Sequence, residues 1–273
     1  MTLSSHVKRW ITGLSALPLL IGWIGWGPPL MFALLIALVC MICLQECFRM
    51  LLGEADKPAY PPPIVLGYVS GVSILWAAYS QSADMMPWIL IANFMLCSVT
   101  VLPRFKTDTS IVQAIAIQVQ AMVYIPLMIS ALISIRNSDN GILWIFFLLA
   151  IVFAGDIGAF YAGSYLGRHK LCPAVSPNKT IEGSIGGLCA NVLIGGIIKA
   201  VFLPALPWPT SVAMFLLVGA AGQIGDLYES ALKRSVHIKD SGTLLPGHGG
   251  MLDRIDALLF ASPVALLFKE FLL

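Results

Sequence analysis

Long apolar runs alternate with short polar connectors along the whole chain, and the runs match the length of a bilayer crossing. Taking runs of roughly 17–25 apolar residues as spans, the pattern predicts helices over residues 10–25, 28–48, 62–80, 85–103, 111–134, 141–165, 183–204, 209–228 and 256–272. The first is interrupted by Gly22 and Gly27, and the last carries Lys269 and Glu270, so a re-entrant or interfacial piece can stand in for either. The pattern therefore predicts an all-α, polytopic membrane protein of about nine transmembrane helices. It reads as a single integral-membrane domain over residues 1–273, with an N-terminal helical half, 1–140, and a C-terminal half, 141–273.

Residues near the ends of the runs agree with that picture. Trp10, Trp23, Trp26, Trp76, Trp88 and Trp208 sit near predicted ends, as interfacial anchors do. Pro61, Pro62 and Pro63 form a rigid entry to the third run. Gly155, Gly158, Gly163 and Gly167 thin the sixth run, and Gly183, Gly186, Gly187, Gly195 and Gly196 thin the seventh. Small residues of this kind let helices pack closely; they also leave room for a headgroup or ligand near the helix ends.

Composition removes the soluble alternative. Of the 273 residues 58% are hydrophobic and 11% charged, with a mean hydropathy of +0.88, whereas soluble domains carry about a quarter charged residues. The apolar runs are distributed throughout, so neither a signal peptide nor a single anchor accounts for them. The six cysteines, Cys40, Cys43, Cys47, Cys97, Cys172 and Cys189, lie mostly in or beside apolar runs; Cys43 and Cys47 can share a helix face like a metal pair but read as small buried apolar residues, and neither disulfides nor zinc are inferred.

The net charge of +2 conceals an asymmetry. With a cytoplasmic N-terminus, the alternating connectors place Lys8, Arg9, Arg49, Lys57, Arg104, Lys106, Arg168, Lys170, Lys179, Lys233, Arg234, Lys239 and Arg254 inside, against Arg136, Lys199 and Lys269 outside. Thirteen of 16 basic residues on one face is a strong positive-inside signal.

Against this background a few polar residues stand out. Asp156 interrupts FFLLAIVFAGDIGAFYAG, and Asp226 and Glu229 close LVGAAGQIGDLYESALKR. Ionised carboxylates are costly in hydrocarbon and normally face a polar interior. If the eighth helix continues past its apolar run, Asp226, Glu229, Ser230 and Lys233 follow at i, i+3, i+4 and i+7 and share one face. That face is either a metal and phosphate surface or a salt-bridged helix end.

The stretch KRSVHIKDSGTLLPGHGGMLDRID, Lys233 to Asp256, favours the former. Lys233, Arg234 and Lys239 are phosphate-binding groups, and Gly247 to Gly250 form a turn whose backbone N–H groups can approach an anion. Asp253 falls in the first turn of the ninth helix, 27 residues after Asp226, so one loop can bring the two together at the cytoplasmic helix ends. Carboxylates beside a basic loop suit magnesium, which takes oxygen ligands and shares phosphate oxygens with substrate. His248 can orient a phosphate or the loop, and His237 reads as polar filler. A second loop predicted on the same side, GRHKLCPAVSPNKTIEGSIGG, places Lys179 before a glycine-rich helix in the manner of an anion-binding entrance, with Ser184 as a further donor. HExxH, GxGxxG and P-loop signatures do not occur, which argues against zinc hydrolysis, Rossmann cofactors and P-loop chemistry.

SALKRSVHIKDSGTLLPGHGGMLDRID, from Ser230, resembles the signature of the phosphatidate cytidylyltransferases, also called CDP-diacylglycerol synthases. It has a Ser three residues before Lys-Arg, then Lys-Asp, Pro-x-His-Gly-Gly and Asp-Arg-x-Asp. The resemblance extends to SPNKTIEGSIGG, to GDIGAFYAGSYLG and to Lys8-Arg9; it is strong over about 145–273 and rests mainly on hydropathy before that. His237 stands where the family commonly has Gly, and Ala257 where a Ser often follows the second Asp.

The resemblance implies magnesium-dependent transfer of CMP from CTP to phosphatidic acid, giving CDP-diacylglycerol and pyrophosphate in phospholipid biosynthesis. It implies a homodimer among membrane lipids in the bacterial inner (plasma) membrane, with no nucleic-acid partner and a C-terminal half that carries the chemistry. On this reading Asp226 and Asp253 hold magnesium, with Asp156, Glu229 and Asp256 around them or at an additional cation site, including a monovalent one. Lys233, Arg234 and Lys239 act on the reacting phosphates with them. Lys179, Ser184, Asp240, His248, Gly249, Gly250 and Arg254 bind substrate. Two other classes fit parts of the sequence: a lipid or polyprenol kinase, and a transporter of an anionic solute using Asp156 and Asp226. The transporter lacks a clear inverted repeat.

Overall fold

The computed structural model describes residues 18, 20–53, 61–106, 109, 111–242 and 249–272. Among these, seven helical stretches are long and apolar enough to cross a membrane. They fall in two compact units, one within Met1–Asn137 and Asp240–Asp253, the other within Ser138–Lys239 and Arg254–Leu273. The predicted 10–25 helix is described only from Pro18, with residues 20–26 helical; Lys8, Arg9, Trp10, Lys57 and His248 lie outside the described residues.

The first unit contains α1 (Pro29–Leu52), α2 (Pro61–Tyr79), α3 (Met86–Val101), α4 (Ile111–Met122) and α5 (Met128–Asn137). Between α4 and α5 a π turn, Val123–Leu127, surrounds Pro126. Proline has no N–H to donate and its ring crowds the preceding turn, so the wider π turn keeps Ile111–Asn137 a single crossing. The core is mostly aliphatic: Leu44, Ile74, Met122, Ile125, Ile129 and Ile133 are fully buried together with the aromatic Phe48. Cys40, Cys43, Cys47 and Cys97 are buried free thiols, as expected of small apolar residues, whereas Cys172 is half-buried and Cys189 exposed in the second unit.

One polar knot crosses this core. Ser70 Oγ donates to Asn93 Oδ1 (2.9 Å), while the amides of Asn93 and Gln118 exchange two hydrogen bonds of 2.9 Å. With Asn93 2% and Gln118 0% exposed, pairing removes the desolvation penalty that either amide alone would carry.

The second unit contains α6 (Gly141–Leu166), the antiparallel strands β1 (Lys170–Cys172) and β2 (Ser176–Thr180), α7 (Ile181–Phe202), α8 (Trp208–Ser235) and the greater part of α9 (Leu252–Leu267). A π turn, Phe268–Leu272, follows α9. The sequence predicted a basic, polar loop before α7, without strands. Instead Lys170 pairs with Thr180 and Cys172 with Ser176, and the reversal is closed by Val175 N–H donating to the Cys172 carbonyl (3.2 Å). Pro173 has the fixed φ that the second position of such a turn favours.

The glycines of α6 and α7 are packing devices. A Cβ at Gly158 would lie 2.9 Å from the Gly186 carbonyl, and one at Gly187 would lie 2.8 Å from that of Gly155, so the two backbones touch where a larger residue would separate them. Further along, Gly195 admits the Phe215 ring of α8, which packs edge-on against Phe147 of α6 at 5.7 Å.

Candidate active site

In the second unit, chemistry-bearing residues gather around the C-terminal part of α8. This helix runs on to Ser235, past the predicted end at 228, so Asp226, Glu229, Ser230 and Lys233 are on one continuous helix. Their shared face is realised: Lys233 Nζ meets Glu229 Oε2 at 2.5 Å, and the Glu229 side chain is wholly buried.

Asp226, one turn earlier, forms an ion pair with Lys179 at the end of β2. The hairpin delivers that lysine, and the next residue, Thr180, starts α7 by accepting the Gly183 N–H on its hydroxyl (3.1 Å). Both members of the Lys179–Asp226 pair remain part-exposed. Asp156 on α6 lies in the electrostatic field of Asp226 and Lys179, and Asp256 on α9 in that of Asp226, Asp156 and Lys179. Three carboxylates from three helices thus feel one lysine, which is in contact with one of them, Asp226. Asp256 Oδ1 also accepts the Ala257 N–H (2.8 Å), and a side chain at Gly225 would strike the Asp256 carbonyl (2.5 Å), so α8 and α9 meet closely beside Asp226.

Other predicted residues are already engaged. The Ser184 hydroxyl donates to Gln223 Oε1, and Gln223 Nε2 returns a bond to the Ser184 carbonyl (3.0 Å). Arg234 Nη1 donates to the Ile238 carbonyl (2.9 Å) and its Nε to that of Val175 (3.4 Å), tying the end of α8 to the hairpin turn. Ile238 N–H reaches the Lys233 carbonyl (3.0 Å) and His237 N–H that of Arg234 (3.1 Å), a Schellman ending with His237 at φ +59°. That left-handed position explains why glycine suits it. Lys239 and Arg254 are exposed.

Within the first unit, Asp253 organises the backbone around it. Its Oδ2 accepts the N–H groups of Gly250 (2.8 Å) and Ser241 (3.0 Å), with the Ser241 hydroxyl at 3.1 Å. Gly249 has φ +81°, and a Cβ there would lie 2.8 Å from Asp253 Oδ2, so glycine at 249 is required for this close approach. Asp240 is exposed.

Sequence reading missed three residues. Glu182 of α7 accepts the backbone N–H groups of Arg168 (3.0 Å) and His169 (3.2 Å) and pairs with His169 Nδ1 (2.6 Å), fastening the link between α6 and the hairpin. Gln223 was missed as the partner of Ser184. Glu46 of α1 receives donors from Ser241, Met251 and Leu252. The only signal for Glu46 was a carboxylate inside a predicted span, the same signal that exposed Asp156.

Among the described residues, no three His, Cys, Asp or Glu side chains are grouped so as to hold a metal ion between them. The donor chemistry around Asp226 nevertheless suits magnesium, which uses one or two carboxylates and completes its shell with phosphate oxygens and water. The chain is similar to a phosphatidate cytidylyltransferase of Bacillus subtilis, at 34% identity over 242 residues covering 85% of this chain and 86% of that protein. A phosphatidate cytidylyltransferase of Staphylococcus aureus is 36% identical over 209 residues, 73% of this chain and 77% of its own. Residues 7–272 match the Cytidylyltransferase family, and with these helices and this full-length likeness the chain belongs to that family as a multi-pass membrane enzyme.

Proposed function

We propose that the protein transfers CMP from CTP to phosphatidic acid, giving CDP-diacylglycerol and pyrophosphate. The observation that carries this reading is the part-exposed Lys179–Asp226 ion pair, in whose field Asp156 and Asp256 lie, in a protein similar to phosphatidate cytidylyltransferases along most of its length. An oxygen of the lipid phosphate monoester attacks the α-phosphorus of CTP, the new P–O bond forms, and the bond to the β-phosphate breaks with its electrons leaving on pyrophosphate. The nucleophile is already anionic, so no protein nucleophile is needed, and positioning with charge neutralisation supplies the rate.

Lys179 can exchange Asp226 for a phosphate oxygen, since both side chains are part-exposed and an ammonium on a flexible stem reorients readily. Lys233, Arg234, Lys239 and Arg254 add positive charge for the nucleotide and the lipid phosphate; Ser184, Asp240, His248, Gly249 and Gly250 contribute polar contacts. Asp226 and Asp253 are the proposed magnesium ligands, an assignment resting on the sequence resemblance, with Asp156, Glu229 and Asp256 as neighbours or as holders of a further cation. Magnesium, when bound, supplies charge neutralisation for the α-phosphoryl group and the leaving pyrophosphate. The charge asymmetry of the connectors supports a cytoplasmic site and N-terminus in the inner membrane of a bacterium, and the resemblance supports a homodimer.

The test offers purified protein in liposomes phosphatidate with CTP labelled at the α- or the γ-phosphate, following both lipid label and pyrophosphate. Label from the α position in lipid, matched by pyrophosphate, is expected. Lipid labelled only from the γ position would replace this reading with a lipid kinase.

A further inference from the structure

Glu46 is a carboxylate inside an apolar crossing, 8% exposed, on a helix that carries none of the sequence signature. Its Oε1 accepts the Met251 N–H (2.9 Å), and its Oε2 accepts the Leu252 N–H (2.9 Å) and the Ser241 hydroxyl (3.1 Å). Two of these donors belong to the start of α9, whose free N–H groups and helix dipole favour an anion. The space around the carboxylate is cut to fit: a Cβ at Gly250 would lie 2.6 Å from Oε2, and one at Gly242 would lie 2.5 Å from Oε1. The same Ser241 hydroxyl stands 3.1 Å from Asp253 Oδ2, so it is shared between the two carboxylates.

We propose that Glu46 is a positioning residue for Asp253: it holds Met251, Leu252 and Ser241 so that the Asp253 carboxylate is presented in one fixed orientation. The glycines of the motif then have a second purpose, since Gly242 and Gly250 admit Glu46 while Gly249 admits Asp253. Assigning Asp253 to the cation rests on the function proposed above; the hold of Glu46 on the backbone does not.

The discriminating variant is Glu46→Gln, which keeps the shape but replaces one acceptor by an NH2 group facing N–H donors. Two measurements are made in liposomes: hydrogen exchange of peptides spanning residues 249–253, and the magnesium concentration giving half-maximal cytidylyl transfer. Removing a partner that orients a metal ligand is expected to raise that concentration about 10–100-fold with the KM for phosphatidate near wild type. Exchange of the Met251 and Leu252 amides should rise about tenfold, as expected when a buried hydrogen bond is lost. Glu46→Asp should recover part of both effects. Wild-type exchange together with a wild-type magnesium requirement in Glu46→Gln would overturn the proposal. So would a fall in kcat with the magnesium requirement unchanged. If the wild-type protein makes no cytidylyl lipid, the functional reading fails by itself, and the exchange measurement alone decides whether Glu46 holds this backbone.

Discussion

In the first unit the carboxylates of Glu46 and Asp253 are met by backbone N–H groups and a serine hydroxyl; in the second, those of Asp226 and Glu229 are met by the ammonium groups of Lys179 and Lys233. The difference matters physically. Backbone donors are fixed by the fold and cannot leave, so an anion they hold is itself fixed. A lysine ammonium swings on a four-carbon stem, so where the pair is part-exposed, as at Lys179 and Asp226, it can trade a carboxylate for a phosphate, whereas the buried Glu229 stays bound to Lys233. Packing differs in the same sense. The first unit ties helices through an amide knot at Asn93 and Gln118, whereas the second brings α6 and α7 into backbone contact through glycines.

The largest expected effect comes from breaking a lysine-held pair that is buried. Lys233→Met removes the ammonium facing the fully buried Glu229 and should cost about 3–5 kcal/mol of stability, seen as a fall in the thermal midpoint in detergent. Adding Glu229→Met should restore most of the loss. A single variant as stable as wild type would erase the contrast between the units.

Next is the part-exposed pair, where the effect should fall on rate. Asp226→Asn is expected to lower cytidylyl transfer about 10²–10³-fold, the scale for removing one electrostatic group from a transition-state site. Near-normal CDP-diacylglycerol formation across a magnesium titration would remove Asp226 from the chemistry and leave its pair with Lys179 a structural one.

A smaller effect tests packing in the second unit. A methyl at Gly219 would overlap the amide of Asn191, which is 1% exposed and lies between α8 and Gly155 of α6. Gly219→Ala should therefore cost about 1–3 kcal/mol by overpacking, read as a lower thermal midpoint. The smallest effect sharpens the first unit's side of the comparison. Ser70→Ala removes one bond from the knot while the Asn93–Gln118 exchange persists, for a loss of about 0.6 kcal/mol, the mean for such bonds inside membranes. A loss as large as that of Gly219→Ala would make the knot a coupled unit.

Much of this was legible in the chain. Hydropathy located the crossings from α1 to α8 because a bilayer demands about 20 apolar residues in a helix that satisfies its own backbone. It misjudged ends where polar residues continue a helix, as in α8, whose last two turns carry Glu229 and Lys233. The hairpin β1–β2 was not legible, because three- and five-residue strands carry too little pattern to register. Gly249 and the position of His237 were visible as motif letters, yet their reason, a left-handed backbone beside a carboxylate or at a helix end, was not.

The sequence by itself determined what is local: membrane crossings, the shared face of Asp226, Glu229 and Lys233, and a signature whose fixed polar spacing marks the family. Each depends on a helical period or a lipid thickness, quantities that act over a few residues or one crossing. Only the tertiary structure decided which partner each acidic group receives. Glu46 and Leu252 are 206 residues apart and Lys179 and Asp226 lie on different elements. No periodicity encodes such pairings, because they are set by how buried donors and acceptors must be satisfied once the helices have packed.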